Sequence, residues 1–226
     1  MKNIGIHIKI IALVVLIGVG FTSCKEDGDL APMFKPALLN TINTISNPVN
    51  VYQNGTRLNN LGTIGTGGQS GYFSVASGTQ QYQLKKAGPD SPEYLINDYS
   101  LTLDVSKRYS LFVAGETPDK LFMVNDNQLN SSTQASIRFV NTLPGTDNLD
   151  VTIGGLSYSN TAFKSASVYS YINSGATSLK IYRAGTTTPV IDQTITLTAG
   201  TPYTVFTIGT LTGTGQNKFS VRMVIN

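Results

Sequence analysis

From residue 37 onward, apolar residues recur at every second position in short runs, and Gly, Pro, Asn, Asp and Ser break the runs. In LDVTI, Leu149, Val151 and Ile153 share one face. In SLKIYR, Leu179 and Ile181 lie on one face, with Lys180, Tyr182 and Arg183 more exposed. Ile195 with Leu197, and Phe219 with Val221 and Met223, are in phase in the same way. In SIRFVN, Ile137 and Phe139 oppose Arg138 and Val140. A period of two predicts antiparallel strands with one buried and one wet face.

The pattern occurs twice. INTISNPVNVYQNG (42–55) parallels VNTLPGTDNLDVTIGG (140–155), YFSVASG (72–78) parallels YSYINSG (169–175), and YQLKKAG (82–88) parallels LKIYRAG (179–185). LTLDVSKRYSLFVAG (101–115) matches ITLTAGTPYTVFTIG (195–209) without a gap. A period near one hundred residues is that of whole domains. The expected organisation is a first domain over 37–127, a polar linker over 128–134 and a second domain over 135–226. Each holds about seven strands with frequent turns, which predicts an all-β chain of two tandem immunoglobulin-like β-sandwiches. Tyr109 and Tyr203 precede apolar triplets near the end of each unit. Each is expected to be a tyrosine corner, its hydroxyl bonding nearby backbone.

Ahead of the repeats the pattern changes. Lys2 and Lys9 give a positive start, and IIALVVLIGVGF (10–21) is an unbroken apolar run. A spanning helix needs about 20 apolar residues, and this run has the length of a signal-peptide core. It ends in Thr22 and Ser23, followed by Cys24, the one cysteine of the chain. Without a partner Cys24 forms no disulfide within the chain. FTSC resembles the acylation motif of bacterial lipoproteins, with Phe21 where Leu or Val is usual. That resemblance implies a signal peptide over 1–23, removed before Cys24, and a lipid anchor on the cysteine. Two or more acyl chains hold a protein stably on a membrane, at ~0.8 kcal/mol per buried methylene. Lys25, Glu26 and Asp27 resemble the charged signal that sends lipoproteins to the outer face of the outer membrane. Residues 24–36 are polar or proline-broken and read as a tether, roughly 40 Å long when extended.

Charge narrows the partners. The formal net charge is +3, but Lys2 and Lys9 belong to the leader, and the remainder carries 14 basic against 13 acidic residues. The longest basic runs are the pairs Lys85-Lys86 and Lys107-Arg108. A nucleic-acid face needs a basic stripe, so none is expected. Apolar residues make up 40% of the chain and charged ones 13%, which is not the signature of disorder.

The second unit resembles the domain family of unknown function numbered 4397, which occurs in bacterial envelope proteins. The marks are Val140, Asn141 and Pro144; Asp150 with Val151; Ala162 with Phe163; and the block from Ala199 to Val205. The first unit matches more loosely, with Asn50 in place of Asp150. The resemblance implies an immunoglobulin-like fold and supplies no catalytic residue.

Chemistry is sparse. The sole histidine, His7, lies in the leader, so the remainder lacks the base of a Ser-His-Asp triad and the common zinc ligand. GTIGTGGQSG (62–71) lacks the Lys-Ser/Thr ending of a phosphate loop and is expected to be a hairpin loop. Asp147 with Asp150, Asp90 with Glu93, and Glu116 with Asp119 lie in turn-rich stretches, where Asp serves local backbone bonding. TDNLD (146–150) and NDN (125–127) have oxygen donors but not the ligand count of a calcium loop. No metal and no cofactor are expected. Tyr158, Tyr169, Tyr171 and Tyr182 are candidates for a sugar-stacking row. Tyr169 and Tyr171 share one face of VYSYI, opposite Val168, Ser170 and Ile172. The expected function is a non-enzymatic surface lipoprotein, held to the outer membrane through Cys24, that binds a protein or glycan. The alternative is a glycan-binding accessory of a polysaccharide uptake system.

Overall fold

A computed structural model describes residues 36–88, 93–145 and 148–226. The leader, Cys24 and the Lys25, Glu26 and Asp27 signal lie outside the described residues, as do Asp90 and Asp147.

In the first repeat, β1 (Pro36–Asn43), β4 (Gln69–Ala76), β7 (Arg108–Val113) and β8 (Leu121–Asn125) form one sheet in the order β4-β1-β7-β8. The sheet facing it contains β2 (Val49–Gln53), β3 (Thr56–Arg57), β5 (Gly78–Lys86) and β6 (Tyr94–Leu103), in the order β3-β2-β5-β6. The second repeat gives β9 (Gln134–Val140), β12 (Ser170–Asn173), β15 (Pro202–Ile208) and β16 (Ser220–Ile225), ordered β12-β9-β15-β16. Opposite them lie β10 (Leu149–Ile153), β11 (Leu156–Thr161), β13 (Gly175–Arg183) and β14 (Ile191–Leu197), ordered β11-β10-β13-β14. Two tandem β-sandwiches result, as the alternation predicts, and among the described residues each has eight strands rather than the expected seven or so. The strand order is their own: β1 pairs in parallel with β7, and β9 with β15, while every other strand pairing is antiparallel.

The sequence explains these elements locally. Asn54 and Gly55, with φ of 48° and 81°, make the tight turn between β2 and β3, since a type I′ turn needs positive φ at both central residues. On β10 the burial alternates, with Leu149, Val151 and Ile153 inward and Asp150 and Thr152 half-exposed. Tyr109 is a tyrosine corner: its hydroxyl accepts from Asp104 N (3.2 Å) and donates to Asp104 Oδ2 (3.0 Å). Tyr203 does the same, accepting from Thr198 N at 3.1 Å. The glycine-rich stretch departs from expectation. It is not a hairpin loop but a crossing from β3 in one sheet to β4 in the other. It is pinned midway by two backbone bonds between Ile64 and Val49, of 2.9 and 3.0 Å.

Each sandwich has its own core. Leu39, Val51, Tyr82, Leu84 and Leu111 are among the buried residues of the first, and Ile137, Phe139, Val151, Leu179 and Val205 of the second. A third cluster joins them. Ile42, Phe112, Ala114 and Phe122 from the first repeat pack with Val140, Phe206, Ile208 and Val224 from the second. These side chains leave the opposite faces of the sheets that contain β1 and β9, so the two inner sheets face each other. Lys35–Asn226 is accordingly one compact unit.

That contact corrects one expectation. Arg138 and Val140 were placed on a wet face by the alternation, yet they are 1% and 0% exposed. In β9 and β15 every residue after the first is buried, because both faces are covered.

Candidate functional site

The four tyrosines do not form a row. Tyr158 on β11 pairs with Val151, packs against the second core, and has its hydroxyl pKa pushed up by burial. Tyr169 is buried at the inter-sandwich contact, with its hydroxyl 3.1 Å from Thr204 Oγ1 and the Arg138 guanidinium 4.7 Å from its ring centre. Tyr171 is exposed and donates to Asn130 O at 2.9 Å, tying β12 to the segment between the repeats. Tyr182 lies beside Asp150 across the β10–β13 pairing. Tyr158 and Tyr182 stand on the sheet of β10, β11, β13 and β14, and Tyr169 and Tyr171 at or on β12 of the opposing sheet, so the four rings are parted.

Tyr158 and Tyr182 do border one shallow groove of about 370 Å³, with Ser157, Ser159, Thr186 and Thr187. Asp150 also lines it. Its carboxylate accepts from Asn160 N (2.6 Å) and Gly185 N (3.0 Å), and these two donors hold its pKa below the usual carboxylate range.

The other carboxylates are spread out. Glu93 and Glu116 both approach Lys86, at 3.3 and 3.8 Å, and Glu116 also accepts from Asn47 Nδ2 at 2.6 Å. Asp119 is exposed in the short turn Pro118–Lys120, where the Thr117 hydroxyl lowers its pKa. Among the described residues no three His, Cys, Asp or Glu side chains are grouped to hold a metal ion.

The sequence reading missed the polar network between the inner sheets. Asp126 is buried, pairs with the Arg138 guanidinium, and accepts from Tyr72 Oη (2.6 Å) and Ser110 Oγ (2.8 Å). Arg138 Nε donates to Thr204 Oγ1 at 2.9 Å and Nη1 to Asn125 O at 3.0 Å. Asn226 Nδ2 reaches Tyr72 Oη and Ser110 Oγ, at 3.2 and 3.3 Å. Burial first, and then the Asp126 charge, push the Tyr72 hydroxyl far above its ordinary pKa. The one signal in the sequence was an arginine in the middle of an apolar strand, SIRFV.

These sandwiches carry the resemblance noted above. The model of a domain of unknown function, DUF4397, matches residues 37–152 and 135–223. The chain belongs to the DUF4397 family. None of the curated proteins matches it. Among solved structures, the Bacillus anthracis TIE protein aligns at 12% identity and a TM-score of 0.26, over 77% of this chain and 34% of its own. A leucine-rich repeat protein from Bacteroides thetaiotaomicron aligns at 13% identity and a TM-score of 0.22, over 75% of this chain and 26% of its own. The chain therefore spans about a third and a quarter of those two proteins. Likeness at this level identifies no ligand or partner.

The DUF4397 marks have structural work in this chain. Asn141 bridges its own turn, accepting from Leu143 N (3.0 Å) and donating to Thr161 O (2.9 Å). Its counterpart Asn43 accepts from Ile45 N and donates to Ile64 O. Asp150 ties the β11 bulge at Asn160 to the turn at Gly185. Phe163 packs edge-on against Phe122 of the first sandwich, with centroids 6.1 Å apart. These marks build DUF4397 sandwiches and bring the two copies together.

Proposed function

We propose that this DUF4397 protein is a non-enzymatic binding or assembly module, anchored by lipid on Cys24 to the bacterial outer membrane and facing outward. The observation that carries this reading is the use made of the buried polar groups. Arg138, Asp126, Tyr72 and Thr204 bond one another and join the two sandwiches, and the outer sheets are left as contact surfaces. The leader and Cys24 supply the address. Metabolic labelling with an alkyne fatty acid tests the anchor: Cys24→Ala abolishes the label, and an undiminished label refutes it. Protease added to whole cells tests display. It removes the wild-type protein and spares a variant with alanine at Lys25, Glu26 and Asp27. Protection of the wild type overturns outward display.

A second reading, a glycan-binding accessory of a polysaccharide uptake system, is favoured by the Tyr182 groove. A half-exposed ring edged by hydroxyls suits a sugar face. On a glycan array, Tyr182→Ala loses the signal if the groove is the site. An unchanged signal excludes it.

A further inference from the structure

The two copies depart most sharply in the connection between their last two strands. Residues 114–120 join β7 to β8, and the longer segment 209–219 joins β15 to β16. The offset between copies is 94 at Tyr109 and Tyr203, but 100 at their strand partners Asn125 and Ile225. The added residues fold back on themselves through bonds from Thr210 N to Asn217 O (2.9 Å) and Gly213 N to Thr210 O (2.9 Å). Gly209, at φ 76°, is packed so closely beneath this fold that a side chain would strike the Lys218 carbonyl.

The folded segment walls a cleft of about 780 Å³ at the seam of the two sandwiches. Ser46, Asn47 and Thr66 come from the first sandwich, and Gln216, Lys218 and Arg222 from the second. The Arg222 stem lies against the first sandwich: a methyl group on Gly67 would come within 2.8 Å of Arg222 Cγ. Among the described residues its Nη1 meets only a neighbouring carbonyl, Val221 O, at 3.3 Å. Among the described residues neither Lys218 nor Arg222 has a carboxylate within ion-pair reach. The lining contains no acid. Glu116, at the adjoining cavity, is engaged by Asn47 and Lys86.

We propose that this seam cleft binds an acidic saccharide, with its carboxylate or sulfate between Lys218 and Arg222. Clefts between domains are favoured ligand sites. Two unneutralised cations attract an anion, and the guanidinium fork matches an oxyanion. Ser46 and Gln216 offer a hydroxyl and an amide that sugar hydroxyls bond, and Thr66 Oγ1, which donates to Ser46 O (3.0 Å), still accepts. The longer loop supplies Gly215, Gln216 and Lys218 to the cleft. The inference rests on neither the Cys24 anchor nor the Tyr182 groove.

Titration calorimetry on the full chain in detergent tests it, with oligogalacturonate as the carboxylate probe, dextran sulfate as the sulfate probe and dextran as the neutral control. At least one acidic probe binds, more weakly as salt is added, and dextran does not. Lys218→Ala and Arg222→Ala each weaken binding by about tenfold or more, and Arg222→Lys retains part of it. Binding of oligogalacturonate alone assigns a carboxylate, and of dextran sulfate alone a sulfate. The proposal is overturned if neither acidic probe binds, if dextran binds equally, or if both alanine variants bind as the wild type. Lys218 is exposed, so its variant remains a fair test should Arg222→Ala disturb folding.

Discussion

At equivalent places on the inner sheets, the first sandwich carries Asn40, Ser110 and Asp126, and the second carries Arg138, Thr204 and Asn226. Asn40 pairs with Ser110 across β1 and β7, as Arg138 pairs with Thr204 across β9 and β15. The apolar positions are alike in the two copies: Ile42 answers Val140, and Phe112 packs against Phe206 with centroids 6.0 Å apart. The polar positions have diverged into complements. The first copy carries its charge at Asp126 and the second at Arg138, and the two charges meet. Apolar matching alone would let such faces slide or turn, since burial is non-directional. The buried Arg138–Asp126 pair, bonded at each guanidinium nitrogen and at both carboxylate oxygens, adds the directional contact that apolar matching lacks.

The most disruptive way to break this comparison is to restore symmetry. Arg138→Asn makes the second copy like the first and strands the Asp126 charge. Removing one partner of a buried pair costs about 3–5 kcal/mol. Urea denaturation followed by tyrosine fluorescence should show that loss, with the two sandwiches no longer unfolding in one transition. Arg138→Asn with Asp126→Asn removes both charges, and its cost should fall well below the sum of the single changes. Additive costs would mean that the pair holds nothing in register.

The sandwiches could be read from the sequence because each outer strand buries one face, and period-two alternation reports that directly. β10 and β13 are examples. The inner sheets could not. β9 carries Arg138 and Val140 on a face that would be wet in an isolated domain, and only the second copy of the fold covers it. The repeat announced two domains and gave no sign that they share a buried face. The tyrosines failed as a set for a related reason. Spacing places Tyr169 and Tyr171 together, but one lies under the neighbouring sandwich and the other beyond its edge. The seam cleft was hidden because Lys218 and Arg222 meet Ser46 and Thr66 only where the two sandwiches are apposed.

The two tyrosine corners offer a finer comparison. Tyr109 makes two bonds to Asp104, one of them to a carboxylate, whereas the Tyr203 hydroxyl accepts from Thr198 N and otherwise meets the neutral side chains of Thr198 and Thr201. Hydrogen bonds to charged groups contribute about 1.5–3 kcal/mol, and neutral ones about 0.5–1.5 kcal/mol. Tyr109→Phe should therefore destabilise the chain more than Tyr203→Phe in the same urea titration. Equal losses would show that the Asp104 carboxylate contributes nothing to the corner.

The smallest effect distinguishes Asn50 from Asp150. Asn50 Oδ1 accepts from Arg57 Nη2 (2.7 Å) and Asn59 Nδ2 (3.0 Å), and it does not titrate. Asp150 accepts two backbone N–H groups, which depress its pKa. A carboxyl whose folded pKa is depressed adds stability above its unfolded value of about 3.9, and the gain is lost as pH falls through the folded value. Thermal melts from pH 7 down to pH 2 should therefore fall less steeply for Asp150→Asn than for the wild type. The two curves should converge in acid to within about 2 °C, because protonated Asp and Asn are similar acceptors. Parallel curves would assign the acid sensitivity of the chain to other carboxylates and leave Asp150 as a turn residue no different in kind from Asn50.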